Sequence, residues 1–138
     1  MSQQNIEIVQ DFNKPLAEVF AHLADHNKLG KVLGIPVRRV REGEGNVNGV
    51  GSVRRLGFGP LAIEETVTAV SPNRSIDYRI SKGGGPVRNH RGRLEFSGSK
   101  RGSRVAWTIQ FDSPLPLVGP IVKAVLTQGI RLGLKRIG

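Results

Sequence analysis

The chain has 138 residues, 21 lysines and arginines against 11 aspartates and glutamates, a net charge of +10, and no cysteine. That length suits one domain built on one core, and the missing cysteines exclude disulfides and thiolate metal sites and fit a cytoplasmic location. No segment has the apolar length of a membrane span, and Met1 to Asn5 is polar, unlike a secretory leader.

From Gln4 to Phe12, Ile6, Ile8 and Gln10 alternate with Glu7, Val9 and Asp11, which predicts a strand. Asn13-Lys14-Pro15 then opens a helix, with Asn13 or Lys14 near the cap and Pro15 in the first turn. Leu16, Val19, Phe20 and Leu23 form its apolar stripe. Asp25 interrupts that helix and can cap a second short one ending near Gly34. Val37 to Arg41 reads as a strand, Gly43 to Gly51 as a glycine-punctuated hairpin, and Ser52 to Phe58 as the returning strand.

Leu61 to Val70 alternates Leu61, Ile63, Glu65, Val67 and Ala69 against Ala62, Glu64, Thr66, Thr68 and Val70. Ser71 to Arg74 is a turn, and Ile76, Tyr78 and Ile80 mark the next strand. Lys82-Gly83-Gly84-Gly85-Pro86 is a loop suited to a mobile rim. His90, Gly92, Leu94 and Phe96 alternate with Asn89, Arg91, Arg93 and Glu95; Val105, Trp107, Ile109 and Phe111 alternate with Ala106, Thr108, Gln110 and Asp112. The strands joined by tight turns imply an antiparallel meander.

A long helix follows from about Leu115 to Ile137, with Pro116 and Pro120 at its start, where proline is tolerated. At 100° per residue, Val118, Val122, Val125, Leu126, Gly129 and Gly133 share one face, opposite Lys123, Thr127, Arg131 and Lys135. A glycine inside a helix costs roughly 1 kcal/mol relative to alanine. Gly129 and Gly133 therefore require a close neighbour, or a hollow left for something other than protein.

Taken in order, certain residues resemble the START-like helix-grip superfamily (SRPBCC), on its polyketide cyclase/dehydratase-like branch. They are Pro15-x-x-x-Val19-Phe20 with Leu23-Ala24-Asp25-His26, and Gly49-Val50-Gly51-Ser52-Val53-Arg54. Further on come Glu64-Glu65-x-Val67-x-x-Val70-x-Pro72, Ile76-x-Tyr78-x-Ile80, Gly92-x-Leu94-Glu95-Phe96 and Val105-x-Trp107. The resemblance spans nearly the whole chain. It implies an α+β fold in which a seven-stranded antiparallel sheet wraps around the C-terminal helix, with two short helices after the first strand. It also implies a deep pocket for a hydrophobic small molecule. It fixes no activity, since its members include carriers as well as aromatase/cyclases.

The chain lacks a phosphate-binding Gly-x-x-x-x-Gly-Lys loop, a dinucleotide Gly-x-Gly-x-x-Gly in context and a Gly-x-Ser-x-Gly elbow. Glu18, His22 and His26 would share a face only if one helix ran through Asp25, so neither a metal site nor any cofactor is expected. Strand parity groups Tyr78, His90 and Trp107 with apolar residues, and so points them toward the long helix. Parity leaves Arg54 ambiguous and favours Glu65 over Glu64 as inward; a buried Arg54–Glu65 pair would orient a carbonyl or carboxylate.

The favoured expectation is a binding module for a hydrophobic or aromatic molecule, held by Glu65, Trp107, Phe96, Val118, Val122, Val125, Leu126, Gly129 and Gly133. The alternative is a cyclase/dehydratase-type enzyme acting on a poly-carbonyl or aromatic substrate. In it His90, titrating near neutrality, moves a proton, Tyr78 donates to an enolate and Arg54 steers the chain. The dispersed positive charge leaves weak binding to an anionic surface open, as it does a homodimer. Nucleic acid is not expected, because aromatics are few and no recognition motif is present.

Overall fold

A computed structural model describes residues 2–57, 59, 62–85, 87–114 and 117–137. The order is β1 (Ser2–Phe12), α1 (Leu16–Ala24), α2 (His26–Leu33), β2 (Val37–Arg41), β3 (Val53–Leu56), β4 (Ile63–Ser71), β5 (Ser75–Lys82), β6 (Arg88–Ser99), β7 (Gly102–Ser113) and α3 (Val118–Ile137). The expected Phe58 and Leu61 strand ends, and the Leu115–Pro116 helix start, lie outside the described residues.

The seven strands form one antiparallel sheet in the order β1-β7-β6-β5-β4-β3-β2. The meander runs from β2 to β7, and β1 adds to the far edge of β7 along its full length. The layering follows from the period-two pattern: each long strand has one apolar side, and the helices cover it. On β7, Val105, Trp107, Ile109 and Phe111 are buried in succession, as are His90, Gly92, Leu94 and Phe96 on β6.

The core lies at the α1 and β1–β7 end. Ile6, Ile8 and Phe12 of β1 meet Val19 and Leu23 of α1, Leu29 and Val32 of α2, and Ile130, Leu134 and Ile137 of α3. Phe96 joins this core by an edge-on contact with Phe20 at 5.0 Å.

Three local expectations need correction. Pro15 is itself the N-cap of α1, extended at φ −60° and ψ 146°, and Lys14 pairs with Glu18 at 3.5 Å instead of capping. On β4 the register shifts between Val67 and Ala69, which reverses the parity: Ala69 is exposed and Val70 packs on the core. On α3 the buried residues are Gly119, Ile130, Gly133, Leu134 and Ile137, with Val122 and Leu126 packed against the core. The buried face is therefore turned away from the one expected, and Val125 and Gly129 are exposed.

The Asp25 cap is as expected: its Oδ1 accepts from the amides of Asn27 and Lys28 and so starts α2. The next residue, His26, is fully buried, and its Nε2 lies 3.0 Å from Ser52 Oγ. Its amide donates to Asn48 Oδ1. These bonds tie α2 to the hairpin between β2 and β3.

Candidate functional site

α3 meets β1 and β7 and, near its C-terminus, α2. Between these contacts its middle turns stand off the sheet. The hollow beneath has a volume of about 470 Å³. Val122, Leu126 and Ile130 form its roof, with Val125 and Gly129 on the outer side of the same helix. Leu29, Leu33 and Ile35 close one wall. Tyr78, Ile80, His90, Trp107 and Ile109 make the floor, and Leu56, Ile63, Gly84 and Val87 complete the apolar lining.

The two glycines of α3 have different causes. A Cβ on Gly133 would lie 2.8 Å from the carbonyl oxygen of Val32, so this glycine permits the close crossing of α3 over α2. A Cβ on Gly129 would meet nothing within 4 Å: this glycine is exposed at the rim of the cavity, and no close neighbour requires it. Gly133 is thus a packing residue and does not line the cavity. Phe96 and Val118 are likewise absent from the lining: Phe96 is taken up by Phe20, and Val118 sits half-buried at the start of α3.

Five polar or polar-tipped side chains converge in the cavity: Arg54, Glu65, Tyr78, His90 and Trp107. Adjacent register positions on β3 and β4 bring Arg54 beside Glu65. Arg54 Nη2 and Nε lie 2.8 and 2.9 Å from Glu65 Oε1, and both side chains are buried. Burying either charge alone would be costly, and the pair cancels most of that cost. The Arg54 guanidinium also sits 4.9 Å above the Tyr78 ring centre, a cation–π contact.

Tyr78 on β5 reaches Trp107 on β7 across the intervening strand β6. The residue it crosses is Gly92, its direct register partner. A Cβ on Gly92 would strike the Tyr78 ring and hydroxyl, so only glycine lets the phenol lie over β6. The hydroxyl then accepts the indole N–H of Trp107 at 2.9 Å. Burial raises the Tyr78 pKa well above the ordinary phenol range; the nearby Glu65 charge adds to this and Arg54 opposes it. The phenol thus stays protonated and keeps its O–H for donation.

His90 lies beside Tyr78, with ring centres 5.8 Å apart. Its Nδ1 is buried and has no hydrogen-bond partner among the described residues. Burial pulls its pKa below the usual histidine value, against the opposing pull of Glu65. Burial thus shifts His90 away from the expected titration near neutrality and toward its neutral form. Among the described residues no group of three or more His, Asp or Glu side chains is placed to hold a metal.

Sequence reasoning placed Arg54, Glu65, Tyr78, His90, Trp107, Val122, Val125, Leu126 and Gly129 in this region, and the structure brings them together around the hollow. It missed the wall from α2. Leu29 and Leu33 are four apart on a helix of eight residues, which is the one signal that could have found them. Ile80 and Ile109 share faces with Tyr78 and Trp107 and are legible by parity, whereas Leu56 shares the face of Arg54, which parity leaves ambiguous.

No curated protein matches the chain by sequence. Solved structures do match in fold. The crystal structure of Ara h 8.0201 is 21% identical, covering 99% of this chain and 98% of that one, with a TM-score of 0.71. A structural-genomics protein from Nitrosospira multiformis is 18% identical over 99% and 97%, with a TM-score of 0.73. Protein Ms6760 from Mycobacterium smegmatis is 19% identical over 96% and 87%, with a TM-score of 0.70. The family model described as "Polyketide cyclase / dehydrase and lipid transport" matches residues 3–138. With a C-terminal helix lying across a seven-stranded antiparallel sheet, the chain belongs to that family, within the START-like helix-grip superfamily.

Proposed function

We propose that this protein binds one uncharged, mainly apolar small molecule bearing an oxygen acceptor, in the cavity between α3 and the sheet. The observation that carries this reading is the hollow itself: about 470 Å³, walled by aliphatic and aromatic side chains, with the polar-tipped Tyr78, His90 and Trp107 on its floor. Water in a cleft of that size leaves its apolar lining hydrated, a cost that an apolar ligand removes. The choice of an uncharged ligand follows from the ion pair. Arg54 is already neutralised by Glu65, so a ligand carboxylate would have to displace or face the Glu65 charge. A carbonyl or phenol oxygen can instead accept from Tyr78 O–H, and His90 can offer a donor or an acceptor according to its tautomer.

A second reading has one specific observation behind it. Tyr78 and His90 both line the cavity, which suits donation to an enolate oxygen by the phenol and proton removal beside it by the imidazole. In a cyclase/dehydratase of this kind, Arg54 would hold the chain, and rate would come mainly from folding it in the absence of water.

Native mass spectrometry of the protein isolated from its own cells tests the first reading. One neutral molecule per chain, released by organic solvent, is the expected result. A bare chain that also takes up no Nile red, an uncharged apolar dye, would sink it. Turnover of a poly-carbonyl chain that Tyr78→Phe abolishes while binding persists would favour the second.

A further inference from the structure

The positive residues are dispersed along the chain, but their excess over carboxylates is not. Residues 26–41 and 117–137 hold nine of the 21 lysines and arginines and none of the 11 carboxylates. The first of these segments is bounded by Asp25 and Glu42, and the rest of the chain is close to neutral. The two segments are α2 with β2, and α3, the elements that supply Leu29, Leu33 and Ile35 on one side of the cavity and Val122 to Ile130 on the other.

Most of the exposed apolar side chains lie on or beside the same segments, with Val9 of β1 apart from them. Leu117, Ile121, Val125 and Leu132 are 80%, 62%, 67% and 57% exposed. At 100° per residue they form a stripe along the outer side of α3, bordered toward the C-terminus by Arg131 and Lys135. Four more exposed hydrophobics, Ile35, Val40, Val47 and Val50, lie between α2 and β3. Val125 and Ile35 belong to both sets, being exposed and lining the cavity. α3 is thus apolar on two sides, one on the core and one on solvent.

We infer that this face docks on an anionic lipid bilayer. An apolar helix stripe bordered by cations, with no carboxylate on the helix, is the pattern of an interfacial helix: side chains enter the acyl boundary while lysines and arginines meet lipid phosphates. The charge argues against a second copy of this chain as the occupant, because two such faces would bring their cations together. The position of Val125 and Ile35 gives docking a consequence. It opens the cavity onto the acyl region, so an apolar ligand passes between bilayer and protein without crossing water. Docking does not require a ligand in the cavity, and each fails independently of the other.

The test is cosedimentation of the full chain with phosphatidylcholine vesicles, with and without phosphatidylglycerol, at low and high salt. The expected result is binding only where phosphatidylglycerol is present, weakened by salt. Arg131→Glu with Lys135→Glu should lower partitioning by tenfold or more, on the order expected for removing and reversing two surface cations. Arg79→Glu with Arg91→Glu, on the opposite face of the sheet, makes the same change in net charge and should have a much smaller effect. Ile121→Ser with Leu132→Ser should weaken binding even at low salt. Equal losses from the two charge-reversed pairs, or binding indifferent to phosphatidylglycerol, would overturn the inference. So would a dimer in sedimentation equilibrium that Ile121→Ser dissociates, or a salt-sensitive DNA complex without vesicle binding. Nile red uptake by the same variants reports on the cavity separately.

Discussion

Gly129 and Gly133 lie one turn apart on α3, and the same substitution should move stability in opposite directions. In a helix interior, glycine to alanine contributes about 1 kcal/mol through backbone entropy. At Gly129 nothing lies within 4 Å of the new methyl group, so the full gain should appear. At Gly133 the methyl would sit 2.8 Å from Val32 O and 3.4 Å from Val32 C. Both are backbone atoms of α2, which is held by its caps and cannot yield as a flexible side chain would. Overpacking of this kind costs about 1–3 kcal/mol, which cancels or exceeds the helix gain. Gly129→Ala should therefore raise the melting temperature by about 3–5 °C, and Gly133→Ala should leave it unchanged or lower it by a similar amount. Urea denaturation followed by circular dichroism gives both free energies on one scale. Equal stabilisation by both substitutions would refute the close crossing at Gly133. Destabilisation by Gly129→Ala would refute the open space at Gly129.

Other perturbations probe the floor of the cavity and the α2 anchor. Arg54→Ala leaves Glu65 charged and buried and should cost about 3–5 kcal/mol, whereas Arg54→Leu with Glu65→Leu should cost much less; a double-mutant cycle in urea checks this. Gly92→Ala should push Tyr78 off Trp107, leave the indole N–H unpaired and cost at least about 1–3 kcal/mol, with a shift in Trp107 emission as its signature. His26 gives a pH dependence. Burial lowers its pKa from 6.5 to about 4, with Arg54 and Arg39 adding to the effect. The unfolded chain therefore binds the proton more readily. The stability due to His26 is whole above pH 6.5 and is lost as pH falls toward 4, by up to about 3 kcal/mol. His90 acts in the same direction, so His26→Gln should flatten this loss only in part in urea titrations at pH 7.5 and 4.5.

The topology was legible because it rests on periodicity. Ile6 and Ile8, Leu94 and Phe96, and Val105 to Phe111 repeat every second residue, and parity carried Tyr78, His90 and Trp107 to the inner side of the sheet. What failed depends on contacts distant in sequence. The bulge at Val67–Ala69 reverses parity and has no signature in the local pattern. Phe96 was placed at the cavity because nothing in its own strand reveals that Phe20 covers it. The buried face of α3 is not legible in the sequence because its two glycines have different causes. Gly133 answers to the carbonyl of Val32, about a hundred residues earlier in the chain, whereas Gly129 is exposed at the cavity rim with nothing near its Cβ position. The apolar stripe at Leu117, Ile121, Val125 and Leu132 was visible in the sequence, but its solvent exposure was not.

Trp107 is the chain's single tryptophan and forms part of the cavity floor. Titration of the protein with Nile red, followed through tryptophan emission, therefore reads occupancy of the hollow directly. A dye seated there lies against the indole, so emission should fall nearly to zero and saturate at one dye per chain. Dye binding that leaves Trp107 emission intact, or rises without saturating, would place the apolar site elsewhere and contradict the account.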